Sequence, residues 1–485
     1  MKEILIDPIT RLEGHGNVSI FLNDKGEVEN AYLKIPELRG FEKFCIGRRA
    51  ELMPQLTSRI CGVCPVAHHF AATKALDAAF NVEPPSAAKK LRELMYAAYV
   101  IYDHTLHFYY LGGPDFIVGI DAPPEKRNIL GVIEKAGMDV AKDVIKHRAY
   151  GQKITEIIGG KATHPVCGLP GGISKALSEA NRQEIEQMAS SCRDFAQFSL
   201  KLFHDVVLGN AKYVGLIKST PYTMPTYYMG TVDENNKVNF YDGKIRVVDP
   251  NGNQFAKFEP KDYLSHIGEH VEEWTYSKFP YLKAVGYKGL TAGVDSGLYR
   301  VGPLARLNAS DGMATPLAQA EYQEMYKTFG GKPVHSTLAF HWARLIELLY
   351  ATERAMELIK DPEITSTNIR NKPGEPGEGV GVVEAARGTL IHHYTLDKDA
   401  MVKDVNLIVA TTNNYPSICM SVRDAAKGFI HNGKADQGIL NMVEMAFRAY
   451  DPCFGCSTHA AVGQMPLTVE VFDAQKRLVD SVSRR

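Results

Sequence analysis

The sequence predicts a mainly α fold with β segments, in which a central helical bundle is flanked by β-hairpins at both ends of the chain. Three observations carry this. Stretches with apolar residues at three- and four-residue steps fill the middle of the chain, short alternating stretches lie near its ends, and Gly/Asp/Asn-rich turns separate them. In order, Asn17–Leu22 alternates, an Asn-Asp-Lys-Gly turn occupies 23–26, and a second run covers Val28–Ile35, which is a hairpin signal. Pro84-Pro85-Ser86 opens a helix over about 87–111, with Ser86 as the expected N-cap. Ser178-Glu179 starts another that reaches about Val207, with Ile185, Met188, Cys192, Phe195 and Leu202 as a core-facing stripe. A further helix is expected over about 336–360, and short strands over about 236–255. The Pro/Gly-rich stretch 362–380 reads as a surface loop, and Leu467–Val479 alternates around a turn at Asp473-Ala-Gln-Lys. With no repeat or low-complexity linker, the chain reads as one domain over 1–485.

Composition narrows the function. The formal net charge is −1 over 485 residues and there is no basic run, which argues against nucleic acid or an anionic membrane as a partner. No apolar stretch reaches the ~18 residues that would span a bilayer. Glu3 and Asp7 interrupt any signal-peptide core, so the expected location is the cytoplasm, export on a partner's signal being the alternative. Eight cysteines are too sparse for a disulfide scaffold.

Four of them form two pairs, Cys61-Gly-Val-Cys64 and Cys453-Phe-Gly-Cys456. Two intervening residues let both thiolates of a pair point at one metal, and one shared site would tie the two ends of the chain together. From spacing alone a four-thiolate zinc site or an iron–sulfur cluster remains open. The flanks differ from a zinc knuckle, which usually sits on an exposed Gly/Lys-rich turn. These pairs run into apolar helical sequence, and each is followed by a histidine, His68 or His459, that can hydrogen-bond a thiolate or hold a second ion. Cys45, Cys167, Cys192 and Cys419 match no ligand spacing and read as small buried hydrophobes.

The stretches RICGVCPVAHH (59–69) and DPCFGCSTH (451–459) resemble the two signature motifs of nickel–iron hydrogenase large subunits. Further matches are DPITRLEGH (7–15), RGFEKF (39–44), DHTLHFYYL (103–111), EAARGTL (384–390) and NLIVATTNN (406–414), so the resemblance covers essentially the whole length. It is strongest to the soluble, cytoplasmic branch serving methyl-viologen-type, heterodisulfide reductase-linked or nicotinamide-linked (diaphorase-type) partners.

The resemblance implies a hydrogenase large-subunit-like fold and reversible heterolytic cleavage of hydrogen. Cys61 and Cys453 would be terminal nickel thiolates. Cys64 and Cys456 would bridge nickel to an iron that also carries carbonyl and cyanide ligands. Glu13 would relay the proton, since cleavage needs a base within hydrogen-bond reach. Arg387 would stand over the open metal position, acting through its charge or as a base in a desolvated pair, with Asp103 and Asp451 holding its fork. Asp103 and His107, four apart on a helix, can face one site. Thr411 would hydrogen-bond a cyanide and His68 a bridging thiolate. Glu42, the Leu407 carbonyl and His459 would hold magnesium or another hard divalent ion.

Where the family usually has proline before the arginine, this chain has Ala386, which relaxes the local backbone. The leftover cysteines have no cluster spacing, so an iron–sulfur small subunit is expected to take the electrons. A maturation protease usually cuts after the histidine equivalent to His459 once nickel is inserted, making 460–485 an extension expected to be removed, although its alternation also fits a retained strand pair. The rival readings are a zinc-stabilised structural protein and a quinone-linked complex I-like subunit of the same ancestry. The latter lacks the cysteine pairs.

Overall fold

The computed structural model describes residues 2–459, 467–472, 475 and 477–484. The chain opens with an antiparallel meander, β1 (Lys2–Ile6), β2 (Asn17–Leu22) and β3 (Val28–Lys34), so the expected hairpin gains a strand on its outer edge. Helix α1 (Pro65–Ala79) begins directly after the first cysteine pair, with a proline whose fixed φ suits the first helical position. Helix α2 (Ser86–Leu106) starts where the sequence predicts, but Ser86 is its first residue rather than its cap. Pro85 occupies the cap position and the Ser86 hydroxyl donates instead to Glu363 Oε2 at 2.6 Å. The α-helix also stops short of 111, widening into a π turn over His107–Gly112.

Then come α3 (Ile129–Ala136), α4 (Met138–Gly159) and α5 (Glu179–Phe203). Helix α5 starts where expected, with Ser178 as its cap, accepting from the Asn181 amide. Ile185, Met188, Cys192 and Phe195 are buried; Leu202 is only half-buried, and Leu200 and Phe203 take its place in the core. A four-stranded sheet follows, β4 (Tyr227–Val232), β5 (Lys244–Val248), β6 (Gln254–Phe258) and β7 (Tyr299–Arg300), ordered β7-β4-β5-β6. Two of its strands overlap the expected 236–255 region. Later elements include α6 (Pro303–Ala309), α7 (Phe340–Lys360), an antiparallel sheet of β8 (Glu378–Ala385), β9 (Gly388–Leu396) and β10 (Val402–Ile408), α8 (Ala410–Phe429), α9 (Gln437–Arg448), and the antiparallel pair β11 (Leu467–Phe472) and β12 (Leu478–Arg484). The surface-loop reading of 362–380 holds up to the start of β8.

Helices α2, α4, α5 and α7 pack as a closed ring, each against two neighbours. Helix α7 is buried almost all round. Its charges therefore need partners, and Glu353 shows how they find them: it accepts from Thr315 Oγ1 at 2.6 Å and from the Leu317 and Ala318 amides at 3.0 and 2.9 Å.

Helix α1 lies on β8 in backbone contact. A β-carbon at Gly381 would stand 2.1 Å from the Ala71 carbonyl oxygen and 2.4 Å from the Ala75 nitrogen. Glycine here lets the helix that follows Cys64 settle onto the strand that ends two residues before Arg387. Gly381→Ala is expected to destabilise by about 1–3 kcal/mol through overpacking, read as a lowered thermal midpoint. The control Gly215→Ala, which meets nothing within 4 Å, is expected to leave the midpoint unchanged or slightly raised.

Candidate metal centre

The two cysteine loops come from opposite ends of the sequence and are joined by residues between them. Arg39 Nη1 donates to the Ile60 carbonyl at 2.5 Å and to the Gly455 carbonyl at 2.9 Å, so one guanidinium fastens both loops. The Glu13 segment runs beside the second loop: its amide donates to the Pro452 carbonyl at 3.3 Å, and its carbonyl accepts from the Phe454 amide at 3.0 Å. Gly14 has φ +89°, and a β-carbon there would come within 2.8 Å of the Gly455 nitrogen, so the close approach requires glycine. Asp451 adopts φ +58°, a left-handed conformation that aspartate tolerates better than most residues, and this turns the chain into Cys453.

The result is a buried cluster of four thiols whose sulfurs all lie within 4.8 Å of one another. The Sγ–Sγ distances include 2.7 Å for Cys453–Cys456, 3.4 Å for Cys64–Cys456 and 3.5 Å for Cys61–Cys453. Burial pushes the Cys453 and Cys456 thiols well up, while hydrogen bonds from these same thiols pull Cys61 well down. Four sulfurs this close cannot all ionise against one another. A bound cation supplies the charge that makes four thiolates compatible, so the donor set fits soft metal ions.

Two charged groups face the sulfurs. Glu13 Oε2 accepts from Cys453 Sγ at 2.9 Å and from the Gly455 amide at 3.0 Å. Burial, then the Cys61 charge, raise the Glu13 carboxyl above the usual carboxylate range. Arg387 is buried, and its two terminal nitrogens donate to the two Asp103 oxygens at 3.1 Å each. Asp451 Oδ2 stands 2.9 Å from Arg387 Nη2 as an ion pair off the hydrogen-bond axis. Burial works against the guanidinium charge, but Asp103, Asp451 and Cys453 outweigh it and hold Arg387 firmly protonated.

The backbone around Arg387 is clamped. Arg306 on α6 pairs with Glu347 at 2.6 Å and Glu384 at 2.8 Å, and donates to the Ala385 carbonyl at 2.8 Å and the Ala386 carbonyl at 3.3 Å. Asn414 Nδ2 donates to the Arg387 carbonyl at 2.9 Å. The Ala386 amide donates to Tyr99 Oη at 3.1 Å, a bond that proline at 386 could not make.

Thr411 Oγ1 accepts from the Cys453 amide at 3.0 Å, which leaves its hydroxyl hydrogen to donate elsewhere. His68 Nδ1 lies 3.1 Å from His392 Nε2, and burial takes His68 down to about 3, so its ring is neutral. His68 Nε2 has no hydrogen-bond partner among the described residues. Glu42 Oε1 accepts from the Leu407 amide at 2.9 Å and lies 3.7 Å from His459 Nδ1, while the Glu42 amide donates to the His459 carbonyl at 3.1 Å. Both His459 ring nitrogens lack a hydrogen-bond partner among the described residues. A buried carboxylate beside such an imidazole fits a hard ion, although Leu407 meets Glu42 through its amide. His107 does not share a partner with Asp103: its Nε2 donates to the Arg448 carbonyl at 2.8 Å.

All the site residues expected from sequence therefore lie around the two cysteine loops, with Glu42, Leu407 and His459 forming an adjoining cluster. Sequence reasoning misses Arg39, Tyr99, Arg306 and His392. Arg39 opens the RGFEKF motif, and His392 is buried on β9. Nothing local in the sequence marks Tyr99 or Arg306. Cys45, Cys167, Cys192 and Cys419 are buried as expected, and burial pushes the first three thiols up to about 12.

Comparison with known proteins agrees with this geometry. The nickel-dependent hydrogenase family profile matches residues 39–127 and 142–459, and a HoxL-like profile matches residues 3–38. An F420-non-reducing hydrogenase iron-sulfur subunit of Archaeoglobus profundus is 48% identical over 484 residues, covering 99% of each chain. The beta subunit of the NAD-reducing hydrogenase HoxS of Cupriavidus necator is 40% identical over 499 residues, covering 100% of each. The crystal structure of an NAD+-reducing NiFe-hydrogenase in the H2-reduced state aligns with TM-score 0.89 at 39% identity, over 95% of this chain and 100% of that one. The chain belongs to the nickel-dependent hydrogenase family, as a large, catalytic subunit of the nickel–iron type. This family match does not favour the zinc-stabilised reading, and the presence of all four cysteines does not favour the complex I-like one.

The Tyr99–Ala386 bond is testable as a pair. Tyr99→Phe alone is expected to destabilise by about 1–2 kcal/mol, because it strands a buried amide. In an Ala386→Pro background the same change is expected to cost markedly less, giving a coupling above about 0.5 kcal/mol in a denaturation double-mutant cycle. Additive losses would show that the bond carries no weight.

Proposed function

We propose that Cys61, Cys64, Cys453 and Cys456 hold nickel together with an iron bearing carbonyl and cyanide ligands, that Glu13 carries the proton away, and that Arg387 supplies the facing charge. The single observation that carries this reading is the Glu13 carboxyl, half-buried and raised, on Cys453 Sγ at 2.9 Å. Bound there, the metal group supplies the heterolytic cleavage of hydrogen. The chain's own part is to take a proton from the Cys453 sulfur onto Glu13 Oε2, which the Gly455 amide holds in line. Arg387, locked between Asp103 and Asp451, is a fixed cation. That favours an electrostatic role over one as a base. Thr411 offers its hydroxyl hydrogen to a cyanide and His68 its free ring nitrogen to a bridging thiolate. Glu42 and His459, beside Leu407, take magnesium or a similar hard ion.

The electrons leave through a partner. Among the described residues the four remaining cysteines are buried and scattered, so the electrons pass to an iron–sulfur small subunit, with heterodisulfide reductase-type or diaphorase-type subunits beyond it. The relatives named as F420-non-reducing and NAD-reducing support that branch. Among the described residues no helix is long and apolar enough to cross a membrane, in keeping with a cytoplasmic location. We also propose that a maturation protease cuts after His459. Residues 460–466 lie outside the described residues, and β11 and β12 pair beyond them. An active preparation whose intact mass still includes Arg485 would rule the cut out.

Metal analysis of anaerobically purified protein is expected to show nickel and iron at stoichiometry. Zinc in their place would support the structural reading. Glu13→Gln is expected to lower hydrogen-dependent dye reduction by roughly 100-fold or more while the nickel content stays unchanged. Arg387→Lys is expected to cost about 100–1,000-fold with the metals retained. Unchanged turnover in either variant would remove that residue from its role.

A further inference from the structure

A cavity of about 440 Å³ opens between β1 and α9; none of the residues placed in the metal centre lines it, and the proposed function makes no use of it. Its polar wall is built from Thr10, Arg11, Arg127, Asn441, Glu444 and Arg448. Three guanidiniums converge there, and they are not equally matched. Arg11 pairs with Asp115 and donates to the Leu111 carbonyl at 3.0 Å. Arg448 pairs with Glu444 and, at 3.4 Å, with Asp115. It also donates to Asn441 Oδ1 at 2.7 Å and Thr10 Oγ1 at 3.1 Å.

Arg127 has no such match. It is only 6% exposed, and its Nε and Nη1 have no hydrogen-bond partner among the described residues. Asp115, Glu444 and Asp121 act on it from a distance, but Asp115 and Glu444 already serve the other two arginines and Asp121 is paired with Lys212 at 2.6 Å. Asp7 stands at the exposed rim. Three guanidiniums, Arg11, Arg127 and Arg448, thus share two buried carboxylates, Glu444 in the wall and Asp115 behind it, leaving one positive charge in excess. A buried charge without a counter-charge is strongly unfavourable. An oxyanion that presents two oxygens, a carboxylate or a phosphate, is the chemistry a guanidinium fork matches best. The N-terminal end of α3, at Asn128, also opens onto the cavity, and its positive end adds to the field that favours an anion, whereas Asp436 already caps α9 beside Gln437.

We propose that this cavity is a binding site for a small oxyanion, a carboxylate or a phosphate, with Arg127 as the residue that takes it. The site is independent of the metal centre and its proposed chemistry.

The test uses the full chain assembled with its partner subunits and titrates inorganic phosphate, and separately acetate, against chloride at matched ionic strength. The thermal midpoint is expected to rise saturably with one or both anions. Arg127→Gln is expected to lose roughly tenfold or more in apparent affinity, the usual weight of one charge-assisted hydrogen bond. Gln437→Glu keeps the fold, because an acid suits the first turn of α9, and is expected to weaken binding through repulsion. The proposal is overturned if neither anion shifts the midpoint, or if both variants respond like the unaltered protein. It is equally overturned if the separated chain responds and the assembled complex does not, because an acidic group of a partner would then fill the cavity.

Discussion

The short parallel contact between Glu13 and Cys453 is the constraint on which the rest depends. It joins a segment near one end of the chain to a segment near the other, and the thiol cluster exists only when it forms. Closing a loop of that length costs roughly 5 kcal/mol by logarithmic scaling, more than a pair of backbone hydrogen bonds returns. The Arg39 fork across both cysteine loops, the packing of α1 on β8 and the buried helical ring behind them supply the difference. The site is therefore held by the whole fold rather than by its own loops.

The same constraint explains the density of buried charge. Arg306, Glu347, Glu384, Arg387, Asp103 and Asp451 are all buried in the ion-pair networks that hold Arg387 and its backbone. Removing so many charges from water is unfavourable unless each is paired, and the pairing dictates geometry. Arg306 reads out the positions of α7 and β8 together and passes them, through two backbone carbonyls, to the residue before Arg387. Asn414 fixes the carbonyl on the other side. The guanidinium facing the thiols is thus positioned by contacts none of which touches the thiols.

The four cysteines, Glu13, Arg387 and the helices α2, α5 and α7 are legible in the sequence, because local periodicity and short motifs encode them. Ser86 misleads: a serine after two prolines looks like a cap, and only the approach of Glu363 from a distant turn shows where its hydroxyl goes. The sheet β8–β10 escapes sequence reading, since its buried strands carry glycines and histidines that blur the alternation. Tyr99 and Arg306 are invisible for a different reason. Each acts on a partner more than 75 positions away, and a single sequence carries no sign of such a pairing. The replacement of the usual proline by Ala386 is visible, but not its consequence, which is an additional amide hydrogen bond.

The distribution of the four thiols along the chain also imposes a schedule. A ribosome delivers Cys61 and Cys64 long before Cys453 and Cys456, so no product that stops between them can present more than half of the ligand set. Nascent chains that stall, or that are clipped before the second loop, are left unable to sequester the metal. Loading then works as a proofreading step: a filled centre certifies that the polypeptide was translated through its second cysteine loop and folded back onto its beginning.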